Sequence, residues 1–142
     1  MRKIIILAFP VMIFLCAHAY AGSFTDNGDS TVTDNFTGLM WQQEDGGNLW
    51  TWEEALIYCE GLTFASYGDW RLPNIKELES ITDDTVYSPA ADTAYFPGVN
   101  LAYYWSSTAT ANLASYAWLV QLGGGGAGYN NKTDPHWAWC VR

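Results

Sequence analysis

The chain has 142 residues and a formal net charge of −9, and 16% of its residues are aromatic. This length predicts a single domain, and high aromatic content with few charges excludes an intrinsically disordered chain. The acidic balance excludes nucleic acid as a partner, because such binding depends on Lys and Arg neutralising phosphates.

Residues 1–21 have the features of a secretory signal peptide. Arg2 and Lys3 supply the positive start, residues 4–15 are largely apolar, and a small-x-small cleavage site ends at Ala21. The apolar stretch is shorter than the about 20 residues that a membrane span needs. We therefore expect an exported protein (periplasmic, on the cell surface or extracellular) with one domain over residues 22–142 and no transmembrane segment after cleavage. A retained N-terminal anchor is the alternative.

The start of the mature chain predicts a β-hairpin followed by a further short strand. Asn27-Gly28 is a strong signal for a two-residue turn, and Thr31-Val32-Thr33 favours a strand. Residues 37–41 form the next strand candidate.

Two helices follow. Helical spacing of apolar residues predicts the first over residues 50–61, with Thr51 and Glu54 as a capping box. The second begins at Asn74, which forms a similar pair with Glu77.

The C-terminal half predicts a long loop and then a β meander. Residues 83–100 contain three prolines or glycines and no periodic pattern. Residues 102–108, 116–122 and 136–142 are strand candidates, and apolar residues alternate in the last two. The glycine run 123–126 is expected to join those last two strands. The predicted fold class is α+β, with antiparallel β-sheets and two helices packed beside them.

Two cysteines, Cys59 and Cys140, remain in the mature chain, since Cys16 lies in the signal peptide. An even pair in an exported chain predicts a disulfide, here between the first helix and the last strand. A metal or redox site is the alternative, but the sequence has no CxxC motif.

Several motifs, in this order, resemble one family. They are Phe24-Thr25-Asp26-Asn27-Gly28-Asp29, Thr31-Val32-Thr33-Asp34, Thr37-Gly38-Leu39-Met40-Trp41, Asp69-Trp70-Arg71-Leu72-Pro73-Asn74 with Glu77-Leu78, Tyr104-Trp105-Ser106-Ser107-Thr108, Ala117-Trp118 and Cys140-Val141-Arg142. Together they are similar to the C-terminal domain family of bacterial collagen-like Lcl adhesins, a domain of unknown function. The resemblance covers nearly the whole mature chain.

The resemblance implies a C-type-lectin-like fold. The segment Arg71-Leu72-Pro73-Asn74 is also similar to one in sulfatase-modifying (formylglycine-generating) proteins, which share that broad fold. In collagen-like members, the domain is implied to bind glycosaminoglycans and to trimerise behind a collagen stalk. This chain departs from them in having no collagen repeat and a mature net charge of −11, from four basic and fifteen acidic residues.

The C-terminal meander is the candidate ligand surface. In the lectin-like fold this region usually forms the ligand face, and exposed aromatic rings beside amides suit sugars or protein partners. The candidate residues are Tyr103, Asn112, Tyr116, Tyr129, Asn130, Asn131, Lys132, His136 and Trp137. Trp70, Arg71, Trp105 and Trp118 are expected to be structural, with Arg71 paired to a carboxylate. An aromatic core with polar loops is the alternative for each candidate.

Calcium is a weak possibility at Asp26, Asp29 and Asp34, which we expect to lie in one short turn. Their spacing does not fit an EF-hand loop, and carboxylates that stabilise a hairpin turn are the favoured interpretation. We therefore expect no cofactor.

Catalysis is not expected. The carboxylate pairs are adjacent in sequence and would diverge on a helix, and no GxSxG or HExxH motif is present. The sequence therefore predicts a secreted, non-enzymatic binding or adhesion module for a glycan (carbohydrate) or a protein. A structural or self-associating envelope domain and a sulfatase-modifying-like enzyme are the alternatives.

Overall fold

The computed structural model describes residues 24–83 and 85–142, so the predicted signal peptide lies outside the described residues. Its elements confirm the α+β class. They are, in chain order, β1 (Phe24–Asp26), β2 (Thr31–Asp34), β3 (Met40–Gln42), β4 (Leu49–Trp50), α1 (Trp52–Glu60), α2 (Ile75–Ser80), β5 (Tyr103–Ala109), β6 (Tyr116–Gln121), β7 (Ala127–Asn131) and β8 (His136–Trp137). No helix within the described ranges is long and apolar enough to span a membrane.

Both helices begin at the predicted caps. Thr51 accepts a hydrogen bond from the Glu54 backbone N–H, and the Glu54 carboxylate accepts one from the Thr51 N–H in return. Asn74 and Glu77 form the same capping box at α2. These reciprocal bonds satisfy backbone donors that the first helical turn leaves without partners.

The strands form two sheets. The three-stranded sheet has the order β1-β2-β3, and the five-stranded sheet has the order β4-β8-β5-β6-β7. The two hydrophobic clusters pack on opposite faces of the larger sheet. Tyr104 and Val120 belong to one cluster and their neighbours Trp105 and Leu119 to the other, and successive side chains of a strand point to opposite faces. We call these the α2-side cluster and the α1-side cluster, after the helix that contributes to each.

The predicted disulfide is confirmed. Cys59 of α1 and Cys140 are bonded, with their Cα atoms 5.4 Å apart, and both are fully buried in the α1-side cluster. The next residue, Val141, forms isolated bridges to Trp41 and to Arg71. The C-terminal segment therefore joins α1, the edge of the three-stranded sheet and the segment before α2.

The predicted order of the last strands is wrong. The glycine turn leads from β6 into β7, which the sequence did not predict, and β8 lies between β4 and β5, parallel to β5. The segment Ala-Gly-Tyr-Asn-Asn has low intrinsic strand propensity, and it becomes a strand because the register with β6 fixes it there. Residues 138–140 leave the sheet after Trp137, so the last predicted strand is only two residues long.

The first hairpin is confirmed, but its turn is longer than predicted. Asp26 pairs with Val32, and the Asn27 N–H donates to the Thr31 carbonyl at 3.0 Å. Three residues, 28–30, therefore form the connection, and Gly28 (φ 76°) and Ser30 (φ 66°) adopt left-handed conformations there. Glycine adopts this conformation without steric cost, which explains the residue at 28.

The long loop is irregular but packed. Phe96 and Ala90 are fully buried, and the Ala90 N–H donates to the Leu122 carbonyl at 2.8 Å, just beyond β6. These contacts anchor the loop to the end of the five-stranded sheet, beside the glycine turn.

Candidate functional site

The predicted ligand surface is divided between the two faces of the five-stranded sheet. Tyr103 and Trp105 alternate with Tyr104 along β5, so they share the α1-side face. Tyr116 and Trp118 alternate with Ala117 along β6 and lie on the opposite face. The strands that carry the candidate residues therefore present two separate groups of side chains.

The first group gathers three candidate residues from three strands. The His136 ring lies edge-to-face with Tyr103 (centroids 5.9 Å apart) and with Trp105 (4.8 Å apart). The Asn130 Nδ2 atom lies 3.0 Å from His136 Nε2. Trp105 is fully buried beneath them, and Tyr103 is 42% exposed. We call Tyr103, Asn130 and His136 the His136 cluster.

The hydrogen bonds fix the protonation state of this cluster. Asn130 Oδ1 accepts from the Asn131 backbone N–H at 2.8 Å, so the Asn130 amide nitrogen must face His136. His136 Nε2 is then the acceptor, which requires a neutral ring. Burial lowers the pKa of His136, while the nearby Asp134 carboxylate raises it by less, so the ring is neutral at pH 7. The cluster therefore offers an aromatic face and uncharged polar groups.

The second group is a ladder of rings on the opposite face. Tyr129 lies edge-to-face with Tyr116 (5.9 Å) and with Trp118 (5.7 Å), and Tyr129 remains 54% exposed. The cross-strand pairs Trp118–Tyr129 and Tyr116–Asn131 bring these side chains together. Trp118, which we expected to be structural, is partly exposed in this ladder.

The remaining candidate residues lie outside both groups. Asn131 Oδ1 accepts from the N–H and hydroxyl of Thr133, and Asn112 is exposed in the loop between β5 and β6. Trp137 is partly buried against the α2-side cluster. Lys132 Nζ lies 4.2 Å above the Trp52 ring centroid and donates to a backbone carbonyl.

Arg71 is held by a carboxylate. Its guanidinium donates two hydrogen bonds to Glu77, at 2.7 and 2.8 Å, and its neighbours Trp70 and Leu72 are both 2% exposed. The same pair lowers the pKa of Glu77 and raises the pKa of Arg71, chiefly through these hydrogen bonds. Arg71 thereby ties the start of α2 to the strand-like segment that pairs with Val141.

The acidic candidates for calcium do not converge. Asp26 and Asp29 accept from donors within the β1–β2 turn, whereas Asp34 lies in the next turn, at the other end of β2. Our expectation that all three share one turn is therefore wrong, because the four-residue strand β2 separates them. Asp34 is 1% exposed and accepts from the Phe36 N–H and the Thr37 N–H and hydroxyl. Across residues 24–83 and 85–142, no three His, Cys, Asp or Glu side chains are grouped to hold a metal ion.

Two polar residues that sequence patterns do not reveal organise the interior. Asp45 accepts from the Tyr104 hydroxyl at 2.7 Å and from Asn100 Nδ2 at 2.9 Å. Burial, and then the Asp45 carboxylate, raises the pKa of Tyr104. Gln42 is 5% exposed, and its Oε1 atom accepts from the Cys140 backbone N–H at 3.1 Å. Both partners are far away in sequence, so no local spacing could indicate these bonds.

These features define a class of protein, namely a disulfide-linked α+β domain with aromatic and amide groups on its C-terminal strands. The family model described as the Lcl C-terminal domain matches residues 30–142. The chain therefore belongs to the Lcl C-terminal domain family, which confirms the resemblance drawn from the motifs. The comparison with curated proteins found no match to the chain.

Proposed function

We propose that the protein is an exported, non-enzymatic binding module with a C-type-lectin-like fold. Its C-terminal strands form an aromatic, uncharged surface that binds a glycan or a protein. Membership of the family named for the Lcl adhesins supports an extracytoplasmic adhesion role. The buried disulfide supports an oxidising compartment, where such bonds persist.

The His136 cluster is the observation that carries the proposal. It brings Tyr103, Asn130 and His136 together although they are separated by 27 and 6 residues along the chain. Tyrosine supplies a broad amphipathic contact at low entropic cost, and an amide beside it supplies directional hydrogen bonds. The ring face of Tyr103 and the polar edges of its neighbours suit a sugar ring or a polar protein segment.

The charges favour an uncharged ligand over a sulfated one. All four basic side chains of the described residues are already engaged: Arg71 with Glu77, Lys76 with Glu79, Arg142 with Asp69, and Lys132 with Trp52 and a carbonyl. Recruiting any of them to a sulfate would remove an existing contact. A polyanion would also meet the negative field of the mature chain.

The surroundings of the two cysteines and of His136 fit a binding role better than a catalytic one. Cys59 and Cys140 are joined to each other in the core, whereas catalysis like that of the sulfatase-modifying enzymes uses reactive cysteines. His136, the histidine of the mature chain, accepts a hydrogen bond from an amide rather than facing a nucleophile or an acid. We therefore propose a module that acts without a cofactor.

A glycan and protein binding screen of the purified, oxidised protein, with and without Ca²⁺, tests the proposal. Tyr103→Ala should abolish the recovered binding, since it removes the stacking surface. The matched variant Tyr129→Ala, on the opposite face, should retain it. Binding that survives Tyr103→Ala, or binding that requires Ca²⁺, contradicts the proposal.

Self-association is a second candidate, favoured by Phe36. This ring is 89% exposed at the β2–β3 turn, where the buried Asp34 carboxylate accepts from the Phe36 N–H and the Thr37 hydroxyl. An aromatic ring in this position can bury a large apolar area against a second copy of the chain. Sedimentation velocity distinguishes the two roles: Phe36→Ser should abolish an oligomer if this ring forms the contact.

A further inference from the structure

Strand β7 leaves one edge of the five-stranded sheet unpaired. It is the last strand in the order β4-β8-β5-β6-β7, and its five residues pair with β6 in an uninterrupted register. The other outer strands are shorter or covered. β4 has two residues, β1 has three and ends on the exposed Asp26, and residues 140–142 bond along β3. Within residues 24–83 and 85–142, β7 is therefore the longest open edge strand.

The hydrogen bonds between β6 and β7 identify which backbone groups of this edge are free. At one end of the pair, the Gln121 N–H donates to the Gly126 carbonyl at 2.8 Å. Backbone groups of successive residues point to alternate sides of a strand, so those of Gly128 face β6, whereas those of Ala127 and Tyr129 face outward. Both outward-facing residues are exposed, and no hydrogen bond in the described part of the chain engages their outward backbone groups. The edge therefore offers two donors and two acceptors to a further strand.

The end of β7 fixes the register that a further strand can adopt. The backbone of Asn131 is already bonded, because its N–H donates to Asn130 Oδ1 at 2.8 Å and its carbonyl accepts from the N–H three residues on at 2.9 Å. Ala127 and Tyr129 are then the residues that remain to pair. If the added strand is a second β7 running antiparallel, Ala127 of each copy pairs with Tyr129 of the other. The two Gly128 residues then face each other at a twofold axis.

The charge distribution favours a second copy of this chain as that strand. Residues 93–131, which include β5, β6 and β7, contain no Asp, Glu, Lys, Arg or His, although the chain has 15 acidic and 6 basic residues. Copies of an acidic protein repel each other, and this repulsion is weakest where their uncharged strands meet. A basic partner would instead be drawn to the acidic surfaces elsewhere on the chain. β7 also lacks the charge, proline or bulge by which natural sheets protect an open edge.

The side chains at this edge are compatible with the pairing. Tyr129 is 54% exposed and lies at the outer end of the ladder of rings, edge-to-face with Trp118. In the register given above, each Tyr129 ring lies opposite the small Ala127 side chain of the other copy, so it can pack across the junction without a clash. The two ladders then form one continuous aromatic face.

We propose that β7 pairs with β7 of a second copy, so that the two five-stranded sheets join into one across a twofold axis. The pairing gives self-association a contact other than the Phe36 turn. Five residues a side make an interface well below the roughly 1,200 Å² of stable complexes, so the dimer should dissociate with a Kd of about 0.1–1 mM. The axis is perpendicular to the sheet, so both His136 clusters face the same side, which suits bivalent attachment. That consequence, unlike the pairing itself, rests on the proposed function.

Engineered disulfides test both the contact and its register. Gly128→Cys places two thiols at a non-hydrogen-bonded pair, where the Cα atoms are about 4.5 Å apart, within the range of a disulfide. The position accepts a side chain, because a Cβ there meets Leu119 Cδ1 at an ordinary 3.5 Å. Gly126→Cys is the matched control, since a Cβ there meets nothing within 4 Å but the two copies of residue 126 lie about 14 Å apart. Under mild oxidation, Gly128→Cys should form a covalent dimer at least roughly tenfold faster than Gly126→Cys. Equal rates overturn the proposal.

Sedimentation velocity of the oxidised protein tests the contact without a cross-link. Ala127→Lys places a charge on the open edge and should raise the Kd of the dimer by roughly tenfold or more. Ile57→Lys makes the same charge change at a residue of α1 that is 70% exposed, and it should retain the dimer within about twofold. Thermal melting of both variants should match the unmodified protein, because both positions are exposed.

Two outcomes of these runs contradict the pairing. One is a monomer at every concentration up to about 1 mM. The other is loss of the dimer in Phe36→Ser together with its retention in Ala127→Lys, which would place the contact at the β2–β3 turn. Tyr103→Ala should leave the association unchanged, so failure of the ligand surface is distinguishable from failure of this contact.

Discussion

Reducing the Cys59–Cys140 disulfide should remove a large part of the stability of this domain. The bond closes a loop with a sequence separation of 81 residues. For a loop of this length, the chain-entropy model gives about 4.5 kcal/mol of stabilisation. A small domain has a total free energy of unfolding of about 5–15 kcal/mol, so the loss takes between a third and nearly all of it.

Urea unfolding of three matched samples measures this contribution. Oxidised protein, reduced protein and the double variant Cys59→Ala/Cys140→Ala should unfold in that order of decreasing stability. Reduction removes only the cross-link, whereas the double variant also removes two sulfur atoms from the fully buried α1-side cluster. The denaturant dependence should rise on reduction, because the unfolded chain becomes more expanded.

Two results would refute this reasoning. One is a loss below about 1 kcal/mol on reduction, which would mean that the cross-link hardly restricts the unfolded chain. The other is alkylation of both cysteines in exported protein without prior reduction. The reducing agent must leave the double variant unchanged, which controls for effects other than disulfide reduction.

Three further predictions concern single side chains. Arg71→Ala should lower the unfolding free energy by about 1 kcal/mol, as expected for a partly exposed bidentate pair. It should leave ligand preference unchanged in the binding screen. Unchanged melting with lost binding would instead mean that Arg71 contacts the ligand. Asp34→Ala should cost about 1–3 kcal/mol in urea unfolding, because three donors in the β2–β3 turn lose a buried acceptor; a smaller loss would mean that water replaces it. The pKa of His136 is lowered in the folded state, so the stability that its neutral form contributes should be complete above about pH 6.5 and should decline as the pH falls toward the folded-state pKa. His136→Gln should lack this decline in stability between about pH 7 and 5.5, a range above the pH at which carboxylates titrate. If the variant shows the same pH profile as the wild type, His136 is not the source of the decline.

Local patterns were sufficient for the features whose causes are local. Thr51 with Glu54 and Asn74 with Glu77 bond within one helical turn, so their spacing alone predicts both helix starts. The disulfide was predicted from the cysteine count and the expected export, since only two cysteines lie beyond the predicted signal peptide. The placement of Trp70 and Leu72 on either side of Arg71 likewise indicated a buried segment with a charge that needs a partner.

Other features depend on which strands meet, and no single segment contains that information. Residues 127–131 have weak strand propensity and form β7 because β6 offers a free edge in register. His136 reaches Asn130 and Tyr103 because β8 is inserted beside β5 instead of following β7. The registers of β6 with β5 and with β7 place Tyr103 and Tyr129 on opposite faces of the sheet, so one predicted surface became two.

The sequence by itself determined the α+β class, the caps, the cysteine pairing and the family, because these rest on short-range spacing, composition and motifs. Only the tertiary structure decided the strand order, the division of the aromatic residues between two faces, and the hydrogen bond between Gln42 and the Cys140 backbone. Each of these depends on contacts between residues far apart in the chain, such as Gln42 with Cys140, which are formed only when the sheets and the C-terminal segment pack together.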